Sequence, residues 1–402
     1  MKRFSKVVSM LSATALMVSA LAGCGNSAST ESTSTGTDSA SSDAAVFKIG
    51  GIGPTTGAAA IYGSDVRDAI QIAVDEINGE GGINGYQIEY KFEDDEHNAE
   101  KSVNAYNTLK DWGMQMLVGC VTSAPTIAVS EKTHEDNMFM LTPSGTAVNC
   151  VQYDNAFRVC FSDPNQGAAS AEYLAGNSTY SASNIAIIYD SSTEYSTGIH
   201  DSFVSKAGEL GLSIVADTAF TTDSATDFTV QLQTAKDAGA DLIFLPIYYQ
   251  EASLILTQAN TMGYAPTFFG CDGMDGILEV ENFDTALAEG LMLLTPFSAT
   301  ATDDLTVNFV TKFQEMTGHV PNQFGADAYD AVYAIKAVCE AQNITPDMSI
   351  SDICEAMKTG MVAIELDNVL TSPTTLSWEA SGEPNKDPRA VVITDGVYVL
   401  AE

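Results

Sequence analysis

Three stretches of this 402-residue chain carry side chains that together can hold a small charged molecule. Thr122-Ser123-Ala124-Pro125-Thr126 follows an apolar run that ends at Gly119 and opens a helical pattern. Proline suits a first helical turn, so Ser123 or Ala124 is expected at the cap position. The free N–H groups and the positive dipole end there, with a hydroxyl beside them, suit a carboxylate. Thr142-Pro143-Ser144-Gly145-Thr146, after the next strand, offers further hydroxyls and an open backbone. The third stretch, Gly270-Cys271-Asp272-Gly273, presents one carboxylate between glycines, the complement of an ammonium ion. Tyr62, Tyr195 and Tyr248 are each expected in a loop after a strand, as walls with a polar tip. Donors for a carboxylate, an acid for an amine and aromatic walls describe a site for a zwitterionic amino acid. A helix cap and a polar turn would account for the two hydroxyl-rich stretches equally well.

Catalytic patterns are weaker. Gly51-Ile52-Gly53-Pro54-Thr55-Thr56-Gly57 lies between a strand and a helix, but its third glycine comes one residue late for a dinucleotide fingerprint, and a tight turn explains it. The chain has no Walker motif and no G-x-S-x-G elbow. His97, His134, His200 and His319 are scattered, with no metal-ligand spacing, and read as surface or satisfied histidines. No cofactor is expected, and no metal.

The elements that must position these residues alternate. From Phe47 onward, short apolar runs separate amphipathic helices, the pattern of an α/β fold with parallel sheets. Strands are expected at 47–52, 86–92, 115–118, 139–141, 185–189, 242–245, 267–269 and 291–294. Val66, Ala69, Ile70, Ala73, Val74 and Ile77 recur at helical spacing and mark one buried stripe. Asn84-Gly85 reads as a turn into the second strand. Ligands of parallel sheets gather beyond the carboxyl ends of the strands. The stretches at 119–126, 142–146, 246–248 and 270–273 all fall there, in two halves of similar plan. Two lobes with a cleft between them follow.

Composition limits the partners. With 17 basic against 53 acidic residues the formal net charge is −36. Phosphate backbones and anionic lipid would repel such a chain, so nucleic-acid binding is excluded. The N-terminus carries an address: Lys2, Arg3 and Lys6 precede an uncharged apolar run to Leu21, too short to span a bilayer. Leu21-Ala22-Gly23-Cys24 then matches a bacterial lipobox, which marks Cys24 for lipid attachment. Residues 1–23 are expected to be a signal peptide, and 24–45 a lipidated cysteine with a Ser/Thr-rich flexible tether. The product is an exported protein anchored to the outer face of the membrane. Beyond the tether roughly 355 residues remain, enough for two domains. Of the six other cysteines, free buried thiols are the simplest reading; if one bridge forms, Cys339 with Cys354 is the pair expected.

Taken together, these segments resemble the type I solute-binding proteins of ABC transporters, in particular the branched-chain amino acid (leucine/isoleucine/valine) binding group. The resemblance rests on Gly53-Pro54-Thr55-Thr56-Gly57 with Tyr62-Gly63, on 73–85, 119–126 and 142–146, on Phe157-Arg158-Val159 with Asp163 and Gln166-Gly167, and on 270–273 and Ala328-Tyr329-Asp330-Ala331. It covers the chain from Phe47 to the C-terminus. The resemblance implies a two-lobed fold, each lobe a parallel sheet flanked by helices, joined by three hinge strands. One lobe would hold 46–162 and 297–388, the other 163–296 and 389–402. It further implies that Ser123, Thr146 and the backbone at Ser144 hold a ligand carboxylate. Asp272 would hold the amine, and Tyr62, Tyr195, Tyr248 and Phe324 would form the aromatic pocket. Asp stands where glutamate is common, and the disulfide many members carry near 94–97 and Thr122 has no cysteines here. The implied partners are an amino acid and an ABC permease with its cytoplasmic ATPase, the receptor acting as a monomer without catalysis. Another small solute (an amide, urea or an aromatic acid) or a ligand-sensing role remains open, as does an exported enzyme.

Overall fold

A computed structural model describes residues 45–372 and 374–401; the expected signal peptide, Cys24 and the expected tether up to residue 44 lie outside the described residues. In chain order the elements are β1 (Phe47–Gly53), α1 (Ala60–Gly79), β2 (Ile88–Asp94), α2 (Ala99–Trp112), β3 (Met116–Gly119), α3 (Ser123–Glu135), β4 (Phe139–Thr142), β5 (Ala156–Arg158), α4 (Asp163–Gly176), β6 (Asn184–Asp190), α5 (Glu194–Leu210) and β7 (Ser213–Phe220). There follow α6 (Thr229–Asp237), β8 (Leu242–Leu245), α7 (Tyr249–Thr261), β9 (Thr267–Gly270), β10 (Met292–Thr295), α8 (Asp304–Thr317), α9 (Gln323–Ala341), α10 (Ile350–Met361), β11 (Glu365–Leu366), β12 (Leu376–Ser377), β13 (Arg389–Thr394) and β14 (Val397–Leu400).

Two main sheets result, and each is the core of one α/β half. The first runs β2-β1-β3-β4-β5, all parallel. The second runs β14-β13-β10-β9-β8-β6-β7, parallel except where β13 joins β10 and β14 joins β13. Strands covered on both faces must be apolar throughout, and β3, β4, β8 and β10 are buried at every residue. The chain passes between the halves three times: between β5 and α4, after β10, and before β13. The predicted stripe of α1 is buried at all six positions. Asn84 and Gly85 both have positive φ (51° and 85°), and Ile83 and Tyr86 exchange two backbone hydrogen bonds across them, as a two-residue hairpin turn requires.

Several expectations need correction. The second strand starts at Ile88, not Tyr86, because the Asn84-Gly85 turn holds Tyr86 in an isolated bridge to Ile83. Helix α3 begins at Ser123 with Thr122 as the cap residue, one position earlier than expected, which puts Pro125 inside the first turn. The tyrosines belong to helices, not to free loops. Tyr62 and Tyr195 lie in the first turns of α1 and α5, and Tyr248 is the cap residue of α7. All six cysteines among the described residues are free and buried; Cys339 Sγ meets Met357 Sδ at 3.8 Å and does not pair with Cys354. Among the described residues no helix is long and apolar enough to cross a membrane.

Candidate functional site

The site is assembled from the carboxyl-end loops of both sheets. On the first sheet, β3 delivers the chain to the N-terminus of α3, where the first N–H groups are unpaired as at any helix start and Thr122 supplies no side-chain cap. The loop after β4 comes alongside. Ser144 Oγ donates to Val121 O at 2.7 Å, and Thr142 Oγ1 donates to Cys120 O at 2.6 Å while accepting the Gly145 N–H at 2.8 Å. Ser123 Oγ accepts the Ala147 N–H at 3.2 Å and lies 3.5 Å from Thr146 Oγ1. Beneath the loop, Arg158 is fully buried at the end of β5. Its Nη1 donates to the carbonyls of Gly145 (2.9 Å) and Thr146 (2.5 Å), and its Nη2 to that of Ala147 (3.0 Å). The planar guanidinium can serve three carbonyls at once because its donors diverge in a fixed fork. It fixes the height of Thr146 over the helix N-terminus.

On the second sheet, β9 ends at Gly270 and the chain turns so that Asp272 faces the same space. Asp272 is 2% exposed. Its Oδ1 accepts the Tyr195 hydroxyl at 2.8 Å, and its N–H donates to Gln166 Oε1 at 3.0 Å. Burial pushes the carboxyl up to about 7, against the hydrogen bonds from Tyr195 and Gln166. Gly273 permits the close approach, since a Cβ there would fall 2.5 Å from the Tyr195 hydroxyl and 2.7 Å from Ile247 O. The Tyr62 hydroxyl, from the first half, donates to Gly273 O at 2.5 Å, and the Ile61 N–H reaches the Tyr249 hydroxyl at 3.3 Å. The two halves therefore meet at the site.

Tyr62, Val121, Thr122, Ser144, Thr146, Tyr195, Tyr248, Asp272 and Phe324 line one small cavity. Tyr195 and Tyr248 stack (4.4 Å between centroids, 10° between planes), and Tyr62 sets its edge against Phe324 at 4.7 Å. Seven of the eight expected ligand residues line this cavity. Ser123 does not: its hydroxyl is engaged by the Ala147 N–H, and Thr122 lines the cavity in its place, the helix starting one residue early.

Asp163 and Gln166 belong to the segments that carry the resemblance, which assigns neither a place at the site. Asp163, at the start of α4, is 1% exposed, and neither of its carboxyl oxygens has a hydrogen-bond partner among the described residues. Burial, with the nearby Asp272 adding to it, raises its carboxyl well above the usual range. Gln166 sits one turn on and fixes the Asp272 backbone. Ser162-Asp163-Pro164 is a helix-start signal, and an acid beside it is ordinarily a capping residue; only the fold shows it facing a second acid. His97, expected as a surface or satisfied histidine, is half-buried and satisfied, with Nδ1 2.8 Å from Thr122 Oγ1 and its ring edge-on to Tyr248 at 5.4 Å. Chemically the arrangement presents N–H and hydroxyl donors on one side, acids on the other, and aromatic rings between them.

Known proteins share this plan. A family model described as periplasmic binding protein matches residues 46–395. A Leu/Ile/Val-binding protein of Rhizobium johnstonii is 29% identical over 315 residues, covering 78% of this chain and 83% of the relative. Among solved structures, a leucine binding protein of Thermotoga maritima superposes with a TM-score of 0.78 at 25% identity, covering 89% of this chain and 98% of that one. The branched-chain amino acid transporter substrate binding protein of Streptococcus pneumoniae, in complex with isoleucine, gives 0.79 at 26% identity, covering 89% and 99%. Two largely parallel sheets flanked by helices match these structures in architecture as well as in sequence. The chain belongs to the periplasmic binding protein family, and the relatives it resembles in sequence are Leu/Ile/Val-binding proteins.

Proposed function

We propose that this protein captures an amino acid outside the cytoplasm and hands it to an ABC permease, branched-chain and other aliphatic amino acids being the first to test. The observation that carries the reading is the sharing of one cavity by opposite chemistries from the two sheets: the start of α3 with Ser144 and Thr146 on one side, Asp272 on the other. In this reading the ligand carboxylate is held by the N–H groups at Ser123, Ser144 and Thr146 and by the Thr146 hydroxyl, with Ser123 Oγ bracing the loop. Asp272 takes the ammonium, and Tyr62, Tyr195, Tyr248 and Phe324 enclose the side chain. The lobes are 46–162 with 297–388, and 163–296 with 389–402. A ligand touching both favours closure about the three crossings, because only the closed form makes every contact. The monomeric receptor releases its ligand unchanged, and a lipid on Cys24 keeps it near the permease.

Thermal-shift titration of the purified protein against the twenty amino acids, urea, short amides and aromatic acids tests this. A ligand at 100 times its Kd adds about 2.7 kcal/mol of stability. Stabilisation by amino acids and not by aromatic acids is the expected outcome, since an acid without an amine leaves Asp272 unpaired. Stabilisation by none of the amino acids would refute the reading. Mass spectrometry of the N-terminal peptide from membranes tests the lipid on Cys24.

A further inference from the structure

The loop after β2 leaves the carboxyl end of the first sheet and carries His97. Two consecutive residues there, Glu96 and His97, have positive φ (50° and 58°), a backbone that few side chains adopt readily. The carboxylates of Asp94 and Asp95 hold it, accepting the Glu96 N–H at 3.0 Å and the His97 N–H at 2.9 Å. This turn brings the imidazole to Thr122, the cap residue of α3, with Nδ1 2.8 Å from Oγ1. The same ring meets Tyr248 of the second half edge-on. Burial disfavours the imidazolium form, so the ring acts as a neutral hydrogen-bonding partner. Thr122 is 3% exposed, and His97 is the one partner of its hydroxyl among the described residues.

A threonine at a cap position ordinarily turns its hydroxyl to the helix and accepts an N–H of the first turn. Thr193 does so at α5, accepting the Ser196 N–H at 3.4 Å. A cap oxygen occupies the place over the helix end that an incoming carboxylate must take, and it uses a donor the carboxylate needs. Pro125 has no N–H, so the Ala124 N–H is the donor that Thr122 would take. The Thr122 hydroxyl is instead engaged by His97, and the helix end has no side-chain cap. We propose that His97 is a positioning residue for the ligand carboxylate: by holding the Thr122 hydroxyl it keeps the N-terminus of α3 uncapped and free to bind. This rests on the amino-acid reading above and deepens it. The hydroxyl at the cavity wall is a competitor of the ligand, and the histidine keeps it away.

Isothermal titration of the full-length chain with leucine, or with whichever other of the twenty amino acids binds in its place, measures the effect of His97→Gly in two backgrounds. One is the parent and the other carries Thr122→Val. Glycine suits the left-handed backbone at residue 97, so the ring is removed without straining the chain, and melting curves confirm folding. In the parent, releasing the Thr122 hydroxyl to cap α3 is expected to cost about fivefold in affinity, the worth of a typical cap. With valine at 122 there is no hydroxyl to release, and His97→Gly is expected to leave the affinity of that background unchanged. His97→Asn, which tolerates the same backbone and keeps a hydrogen-bonding atom near the place of Nδ1, is expected to recover most of the loss. Equal losses in the two backgrounds would make His97 a packing residue and overturn the proposal, as would no loss in either, while the amino-acid reading stands. If the parent binds no amino acid, both fall together.

Discussion

On the side of the cavity carried by the first sheet, the hydroxyls of Thr142 and Ser144 and that of Ser123 are already committed to backbone groups, and Arg158 ties down three successive carbonyls beneath them. On the side carried by the second sheet, neither carboxyl oxygen of Asp163 has a hydrogen-bond partner among the described residues, and Asp272 is held by neutral donors that do not remove its burial penalty. The first side is a finished hydrogen-bonded frame whose spare groups are backbone N–H donors. The second stores unfavourable electrostatics that a cation would relieve. In the proposed reading the rigid frame sets the ligand's position, and the buried acid supplies the driving force and disfavours ligands that carry no positive charge.

Four perturbations separate the two sides. The largest effect is expected from Arg158→Ala, which leaves buried carbonyls and Glu383 without their partner. The loss of stability is roughly 3–5 kcal/mol, read from chemical denaturation. A variant of unchanged stability would show that the frame does not depend on the guanidinium. Next, Asp272→Ala should weaken binding of any amine-bearing ligand by roughly 2–5 kcal/mol in calorimetry, and retained affinity would remove Asp272 from the site.

The third test is pH. Without ligand Asp272 titrates at about 7, and an ammonium ion needs it ionised. Affinity should therefore fall on going from pH 8 to pH 6, by at most about tenfold per unit, and Asp272→Asn should lose that dependence. Stability of the empty protein moves the other way. The unfolded carboxyl releases its proton near 3.8 and the folded one at about 7. The folded state therefore holds the extra proton between those values, and stability declines as pH rises through that window. The Asp272→Asn variant, free of this titration, should then melt higher than the parent at pH 8 in the absence of ligand; an equal or lower melting temperature would argue against the burial penalty. Smallest is Ser123→Ala, which leaves the Ala147 N–H unpaired and should cost on the order of 1 kcal/mol in stability. A loss of affinity as large as that of Asp272→Ala would put the Ser123 hydroxyl on the ligand itself.

Much of the fold was legible because the period of the apolar residues is a local property. The α1 stripe, and the strands β1, β3, β4 and β8, are where the pattern places them, to within a residue. The strands it missed have physical reasons. β7 is an edge strand, half-buried or exposed at every residue but the last, so its sequence SIVADTAF carries no continuous apolar run. β5 is three residues long. The β13–β14 hairpin did carry a signal: Asp395-Gly396, both at positive φ (53° and 75°), flanked by apolar residues, is a two-residue turn in sequence as in structure. The site was legible where chemistry is carried by single residues such as Thr146 and Asp272.

The sequence by itself determined the alternation of strands and helices, the acidic surface that excludes polyanions, and the residue types that gather at the strand ends. Each follows from neighbours along the chain or from composition. Tertiary structure alone decided that Thr122, and not Ser123, lines the cavity, that Asp163 and Asp272 lie close enough for one to disfavour ionisation of the other, and that Arg158 underpins the loop between them. Those relations join residues on different strands and, for the two acids, on α4 and the loop after β9. Charge and hydrogen bonding act through space, so no spacing along the chain encodes them.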